Sequence, residues 1–170
     1  VGTASLRRQA QLLALRPDLK VIPFRGNVQT RLRKIEEGQA DATLLALAGL
    51  VRLKKERLAT EILETDRMLP AVGQGAIALE LREDDAETAK LCGALNDTKT
   101  ASELTAERAM LAELDGSCRT PIAGLAKLDS SNQTIYLRAF VAKPDGSVVH
   151  EVERKGTIGD ATEIGAAAGQ

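Results

Sequence analysis

Leu19-Lys20-Val21-Ile22-Pro23-Phe24 runs directly into Arg25-Gly26-Asn27-Val28, and this junction decides the fold of the first part of the chain. The first six residues read as a strand. From Asn27 through Glu37, Val28, Leu32 and Ile35 then recur on one face of a helix. Upstream, a helix is expected from about Ser5 to Leu15, stopped by Arg16-Pro17, with Ser5 as its N-cap. Downstream, Ala42-Thr43-Leu44-Leu45-Ala46-Leu47 reads as a strand, and a helix is expected from about Ala48 to Glu64. Helix and strand alternate over residues 1 to 69, which predicts an α/β lobe with a mainly parallel sheet.

The pattern then changes. Leu69-Pro70-Ala71-Val72-Gly73-Gln74-Gly75 reads as a linker, Ala76-Ile77-Ala78-Leu79-Glu80-Leu81 as a strand, and Ala89 to Leu95 as an apolar helical run that places Cys92 in the core. Thr100 and Glu103 fit a T-x-x-E capping box for a helix over 101 to 114, with Leu104, Leu111 and Leu114 at helical spacing. Ile122 to Leu128, Thr134 to Ala142 and Ser147 to Arg154 read as three antiparallel strands. They are joined by Asp129-Ser130-Ser131-Asn132 and Pro144-Asp145-Gly146, so the second part is a small α+β domain. The final residues read as a helix opened by Asp160 and Glu163. With Val1-Gly2-Thr3 at the start, this leads us to expect a segment of a longer protein.

Composition excludes several classes. The 170 residues are 44% hydrophobic and 28% charged with no run of 18 apolar residues, so no membrane span is expected. Aromatics are only 2% and the net charge is −1, which disfavours a nucleic-acid partner. Two cysteines without C-x-x-C spacing argue against a zinc site or a disulfide framework and point to a reducing compartment, the cytoplasm. The one histidine, His150, lies in an alternating strand and is expected to be exposed. A Ser-His-Asp triad, a His-based metal site or a thiol hydrolase would therefore need a partner from outside the chain. Gly73-Gln74-Gly75-Ala76-Ile77-Ala78 matches G-x-G-x-x-A, but a proline precedes it and a β-like run follows, the reverse of a dinucleotide loop.

Two features carry chemistry. Arg7, Arg8, Arg25, Arg31, Arg33 and Lys34 fall at helix starts or just after strands, where open α/β sheets bind ligands. Guanidinium groups and helix N-termini there suit a carboxylate or phosphate, although the same charges also describe a solvated basic face. The second feature is Gly116-Ser117-Cys118-Arg119-Thr120-Pro121, which sets a cysteine in a turn after a helix. With Arg108 expected on the apolar face and reaching toward it, and Arg119 adjacent, the thiol would be biased toward thiolate. A small unreactive hydrophobe is the other reading.

Five stretches stand out together: Gly2-Thr3-Ala4-Ser5-Leu6-Arg7-Arg8-Gln9, Phe24-Arg25-Gly26-Asn27-Val28-Gln29-Thr30-Arg31-Leu32, Leu69-Pro70-Ala71-Val72-Gly73-Gln74-Gly75-Ala76, Ala106-Glu107-Arg108-Ala109 and Gly116-Ser117-Cys118-Arg119-Thr120-Pro121-Ile122. In order and spacing they closely resemble the porphobilinogen deaminase (hydroxymethylbilane synthase) family. The resemblance implies an enzyme of tetrapyrrole biosynthesis. It condenses four porphobilinogen molecules with loss of ammonia on a dipyrromethane cofactor held as a thioether, then releases the chain by hydrolysis.

By that resemblance Cys118 is the attachment cysteine. Arg7, Arg8, Arg25 and Arg31 hold the acetate and propionate groups of cofactor and growing chain, with Ser5, Thr3 and Gln74 nearby, and Arg52 and Arg108 bind substrate. Residues 1–70 would be part of a second, periplasmic-binding-protein-like domain, 71–97 a hinge and a segment pairing with an absent first domain, and 98–170 a third domain. The catalytic aspartate of the family would lie in that absent domain. This segment alone is then expected to be inactive, to lack the cofactor, and to be a dimer or larger or disordered in part around residues 70 to 95, whereas the full-length protein is a monomer. Ala4 and Ser117 depart from the family pattern, where serine and a second glycine are usual. The competing reading is a carboxylate-binding module of the two-lobed receptor type, which explains the arginines but not a presented Cys118.

Overall fold

The computed structural model describes residues 1–115 and 120–170. In chain order the elements are α1 (Leu6–Leu15), α2 (Val28–Glu36), α3 (Leu47–Arg52), a 3-10 turn (Glu56–Leu58), α4 (Ala86–Gly93), α5 (Thr98–Glu113), strands β1 (Ile122–Asp129), β2 (Thr134–Ala142) and β3 (Val149–Thr157), a second 3-10 turn (Ile158–Asp160) and α6 (Ala161–Gly169). The strands form one antiparallel sheet in the order β1-β2-β3, as the short turns after β1 and β2 dictate. The three-stranded antiparallel sheet expected in the second part of the chain is thus present. His150 is exposed on β3.

The chain forms two compact units. One comprises Val1–Pro70, 120–123 and Phe140–Glu151; the other comprises Ala71–Asp115, Gly124–Ala139 and Val152–Gln170. In the first unit Ala10, Phe24, Leu50 and Leu69 are buried. The buried Gln11 ties α1 to the segment at Leu69. Its Oε1 accepts from Leu69 N at 2.7 Å and its Nε2 donates to Leu69 O at 3.1 Å. The turn after β2 lies on α1, where Gln9 Nε2 donates to Pro144 O at 3.0 Å. In the second unit α5 and α6 pack together over Ala106 and Met110, with Ile135, Leu137 and Ile164 also buried.

The expected parallel sheet of residues 1 to 69 is not built as strands. Gly2 makes single parallel bridges to Ile22 and to Thr43, with Gly2 N donating to Ala42 O at 2.7 Å and Thr3 N to Ile22 O at 3.0 Å. Each ladder stops after one rung because the chain turns at once into α1, which Ser5 caps while its own N–H is taken by Thr3 Oγ1. Residues 76–81 also form no strand; Ile77 is 87% exposed and meets no partner strand among the described residues.

The helix expected from Ala48 to Glu64 ends at Arg52, because Lys54 turns into the left-handed region (φ 55°) and Lys55 N closes back onto Leu50 O at 2.8 Å. The Thr100–Glu103 capping box does not form. Asp97, three residues earlier, takes Thr100 N on its side chain at 2.7 Å, and α5 starts at Thr98. Nor is Cys92 a core residue: it is half-buried on α4, beside Leu91 and Leu95, which are 68% and 75% exposed.

Candidate anion-binding site

The site grows from two helix N-termini. At α1, Ser5 Oγ accepts from Arg8 N at 3.4 Å, as the sequence predicts; at α2, Asn27 Oδ1 accepts from Thr30 N at 2.8 Å. Neither first turn carries an acidic residue. Instead the first turn of α1 carries Arg7 and Arg8, where the helix dipole already favours negative charge. Gly2 makes the close approach possible, since a Cβ there would sit 2.5 Å from the Phe24 ring.

Backbone carbonyls hold three guanidinium groups. Arg7 Nη1 donates to Leu69 O, Arg8 Nη1 to Leu44 O at 2.8 Å, and Arg31 Nε to Gly26 O at 2.8 Å. Burial, and then the charge of Arg8, push the Arg7 guanidinium down to about 10. Burial lowers Arg8 as well, followed by the field of Arg31. Among the described residues none of these three pairs with an acid. Arg8 thus stands between two further cations, and a cluster of guanidinium groups without an acidic partner among the described residues is an arrangement that could take up an anion.

The other predicted residues divide. Arg25 is exposed, and its carbonyl accepts from Lys34 Nζ at 3.1 Å. Thr3 is buried and its Oγ1 accepts from Ser5 N at 3.2 Å, so this hydroxyl shapes the entry to α1. Arg52 is exposed at the end of α3. Gln74 and Arg108 belong to the second unit, where both are exposed. Arg108 is therefore not on the buried face of α5, which consists of Ala106, Glu107 and Met110. Cys118 and Arg119 lie outside the described residues.

Sequence reasoning passed over Glu107. It is 5% exposed; its Oε2 accepts from Gly73 N at 2.6 Å and its Oε1 from Ala126 N at 2.8 Å. Burial raises its carboxyl above the usual range, partly offset by the two N–H donors. The available signal was an acid four residues after Glu103, flanked by the buried Ala106 and Met110.

Comparison with known proteins adds to this geometry. A family model described as "Porphobilinogen deaminase, dipyromethane cofactor binding domain" matches residues 1–90, and one described as "Porphobilinogen deaminase, C-terminal domain" matches 101–170. The porphobilinogen deaminase of Nitrobacter hamburgensis is 56% identical over 166 residues, covering 98% of this chain and 52% of that protein. That of Paracoccus denitrificans is 55% identical over 165 residues, covering 97% and 52%. A relative from Oryza sativa subsp. japonica, named porphobilinogen deaminase, chloroplastic, is 51% identical over 156 residues, covering 92% and 43%. The chain spans about half the length of the curated relatives it matches.

Proposed function

Because the chain belongs to the porphobilinogen deaminase family, we propose that the whole protein condenses four porphobilinogen molecules head to tail, with loss of ammonia each time, and releases hydroxymethylbilane by hydrolysis. The observation that carries this reading is the trio Arg7, Arg8 and Arg31, three guanidinium groups without an acidic partner among the described residues. Each pyrrole brings two carboxylates, so a chain several rings long needs several planar, bidentate donors, which Arg supplies better than Lys.

The donor set fits a polycarboxylate pyrrole, and Cys118 is the thiol to which a dipyrromethane cofactor would be bound as a thioether. When bound, that group supplies the primer to which each pyrrole is joined. Arg7 and Arg8 orient carboxylates at the α1 N-terminus, Arg25 and Arg31 do so at α2, and the Ser5 hydroxyl, which accepts at the cap, keeps a proton to donate. Gln74, Thr3, Arg52 and Arg108 complete the binding set, with Thr3 acting through the backbone it holds. Residues 1–70 are the second-domain, periplasmic-binding-protein-like part in this reading, residues 71–97 the hinge and pairing segment, and residues 98–170 the third domain. The proton-handling carboxylate is assigned to the half of the relatives that this chain does not span, so the 170-residue chain alone is inactive and carries no cofactor. The cytoplasm is the compartment that goes with this reading, and the chloroplastic name of the rice relative is the reason to check it by fractionation.

The test is ammonia release from porphobilinogen by the full-length protein, with and without the double change Arg8→Leu and Arg31→Leu. Loss of turnover in a folded variant is expected. Unchanged turnover would refute the role of the trio.

A further inference from the structure

Along a helix, four residues advance about 6 Å, and along a strand two residues advance about 6.7 Å. Glu103 and Glu107 on α5 use that near match to meet Leu128 and Ala126 on β1. Glu103 Oε1 accepts from Leu128 N and Glu107 Oε1 from Ala126 N, both at 2.8 Å. The two amides face away from β2, so the carboxylates close the open edge of the sheet.

Glu107 does more than Glu103. Its second oxygen accepts from Gly73 N at 2.6 Å, within a turn where Gln74 N donates to Ala71 O at 3.0 Å and Ala76 N to Gly73 O at 3.2 Å. Gly73 and Gly75 both have positive φ (68° and 93°), conformations that few other residues would hold. Leu104 of α5 lies against Gly73, and Val72 lies against Gly124 of β1, so the turn is seated by packing as well.

We infer that Glu107 is a positioning residue. By holding the Gly73 N–H against the edge of β1, its carboxylate fixes the backbone that presents Gln74. Only the statement that Gln74 then meets ligand rests on the function proposed above. Glutamine at position 107 could accept one of the two N–H groups but would turn an NH2 toward the other, leaving two donors face to face. Aspartate is one methylene too short to bridge both.

Amide hydrogen exchange on the full-length protein tests this without any ligand. In the unaltered protein the Gly73 amide should exchange about tenfold or more slowly than an unbonded turn amide, reflecting a charge-assisted bond. In Glu107→Gln the amides of Gly73 and Ala126 should lose that protection, while those of Ile135 and Leu137 in β2 keep theirs. Glu103→Gln, which alters the contacts to Leu128 and Lys99 but none to Gly73, should leave Gly73 slow. In the same Glu107→Gln protein the KM for porphobilinogen should rise by about fivefold or more, with kcat changed less.

The inference is overturned if Gly73 exchanges freely in the unaltered protein, or if Glu107→Gln speeds exchange uniformly over α5, α6 and the sheet. It is also overturned if the turn loosens with KM unchanged. Should Glu107→Gln fail to fold, the unaltered protein and Glu103→Gln still decide the matter. A full-length protein with no activity on porphobilinogen would instead refute the proposed function and leave the exchange pattern standing.

Discussion

Arg7, Arg8 and Arg25 differ in what the fold asks of them, and substitutions should separate structure from binding. The Arg25 side chain is exposed, so Arg25→Leu should cost less than about 0.5 kcal/mol. Arg7→Leu removes a bond to Leu69 O, but that oxygen keeps Gln11 Nε2, so the loss should be about 1 kcal/mol. Urea unfolding measures both, and in the full-length protein both should lower turnover far more than they lower stability. Glu107 gives a pH prediction. Its folded-state proton affinity is raised, chiefly by burial, so its contribution to stability is fully present below the ordinary glutamate range. That contribution is lost as pH rises through the raised value. Glu107→Gln should flatten that part of the stability–pH curve, and an unchanged slope would show that another group causes it. At this scale the arginines were legible because their type and placement at helix starts already describe an anion site. Glu107 was not, because two acids four residues apart on a helix share a face without revealing which strand edge will come to meet them.

Helix starts were legible where a single side chain decides them: Ser5 accepts from the N–H three residues on, as predicted, and Asn27, read as the first residue of its helix, does the same as the cap of α2. They were misread where two acceptors competed, and Asp97 displaced Thr100 as the cap of α5 because Glu103, the other half of the expected box, is engaged by Leu128 N. The antiparallel strands were found because Pro144-Asp145-Gly146 and Asp129-Ser130-Ser131-Asn132 fix which segments pair. Parallel pairing has no such local marker, and residues 19–24, 42–47 and 76–81 carry strand composition without the ladder that would make them strands. The α5–α6 contact gives the sharpest test at this scale. A Cβ on Gly165 would lie 2.1 Å from Ala106 O, a backbone atom that cannot step aside. Gly165→Ala should therefore destabilise by about 1–3 kcal/mol, read from chemical unfolding. A neutral result would mean that the two helices are not packed this closely.

Over the whole chain, exposed apolar side chains cluster in two stretches, residues 47–62 and residues 77–95. Ile77, Leu79, Leu81, Leu91 and Leu95 are all exposed, against 28% charged residues overall. Such surface favours association. Light scattering on the 170-residue chain should find dimers or larger species, and Ile77→Glu with Leu79→Lys should reduce them; a strict monomer at high concentration would contradict this. The central proposal concerns the chemistry of the full-length protein: that Cys118 carries the dipyrromethane and that the Arg7, Arg8 and Arg31 trio binds the carboxylates. Peptide mass spectrometry of that protein, purified in active form, tests it most directly. The peptide containing Cys118 should carry a dipyrromethane-sized thioether adduct that Arg8→Leu with Arg31→Leu abolishes, and the Cys92 peptide should be unmodified. An active protein with an unmodified Cys118, or with the adduct on Cys92, would contradict the account.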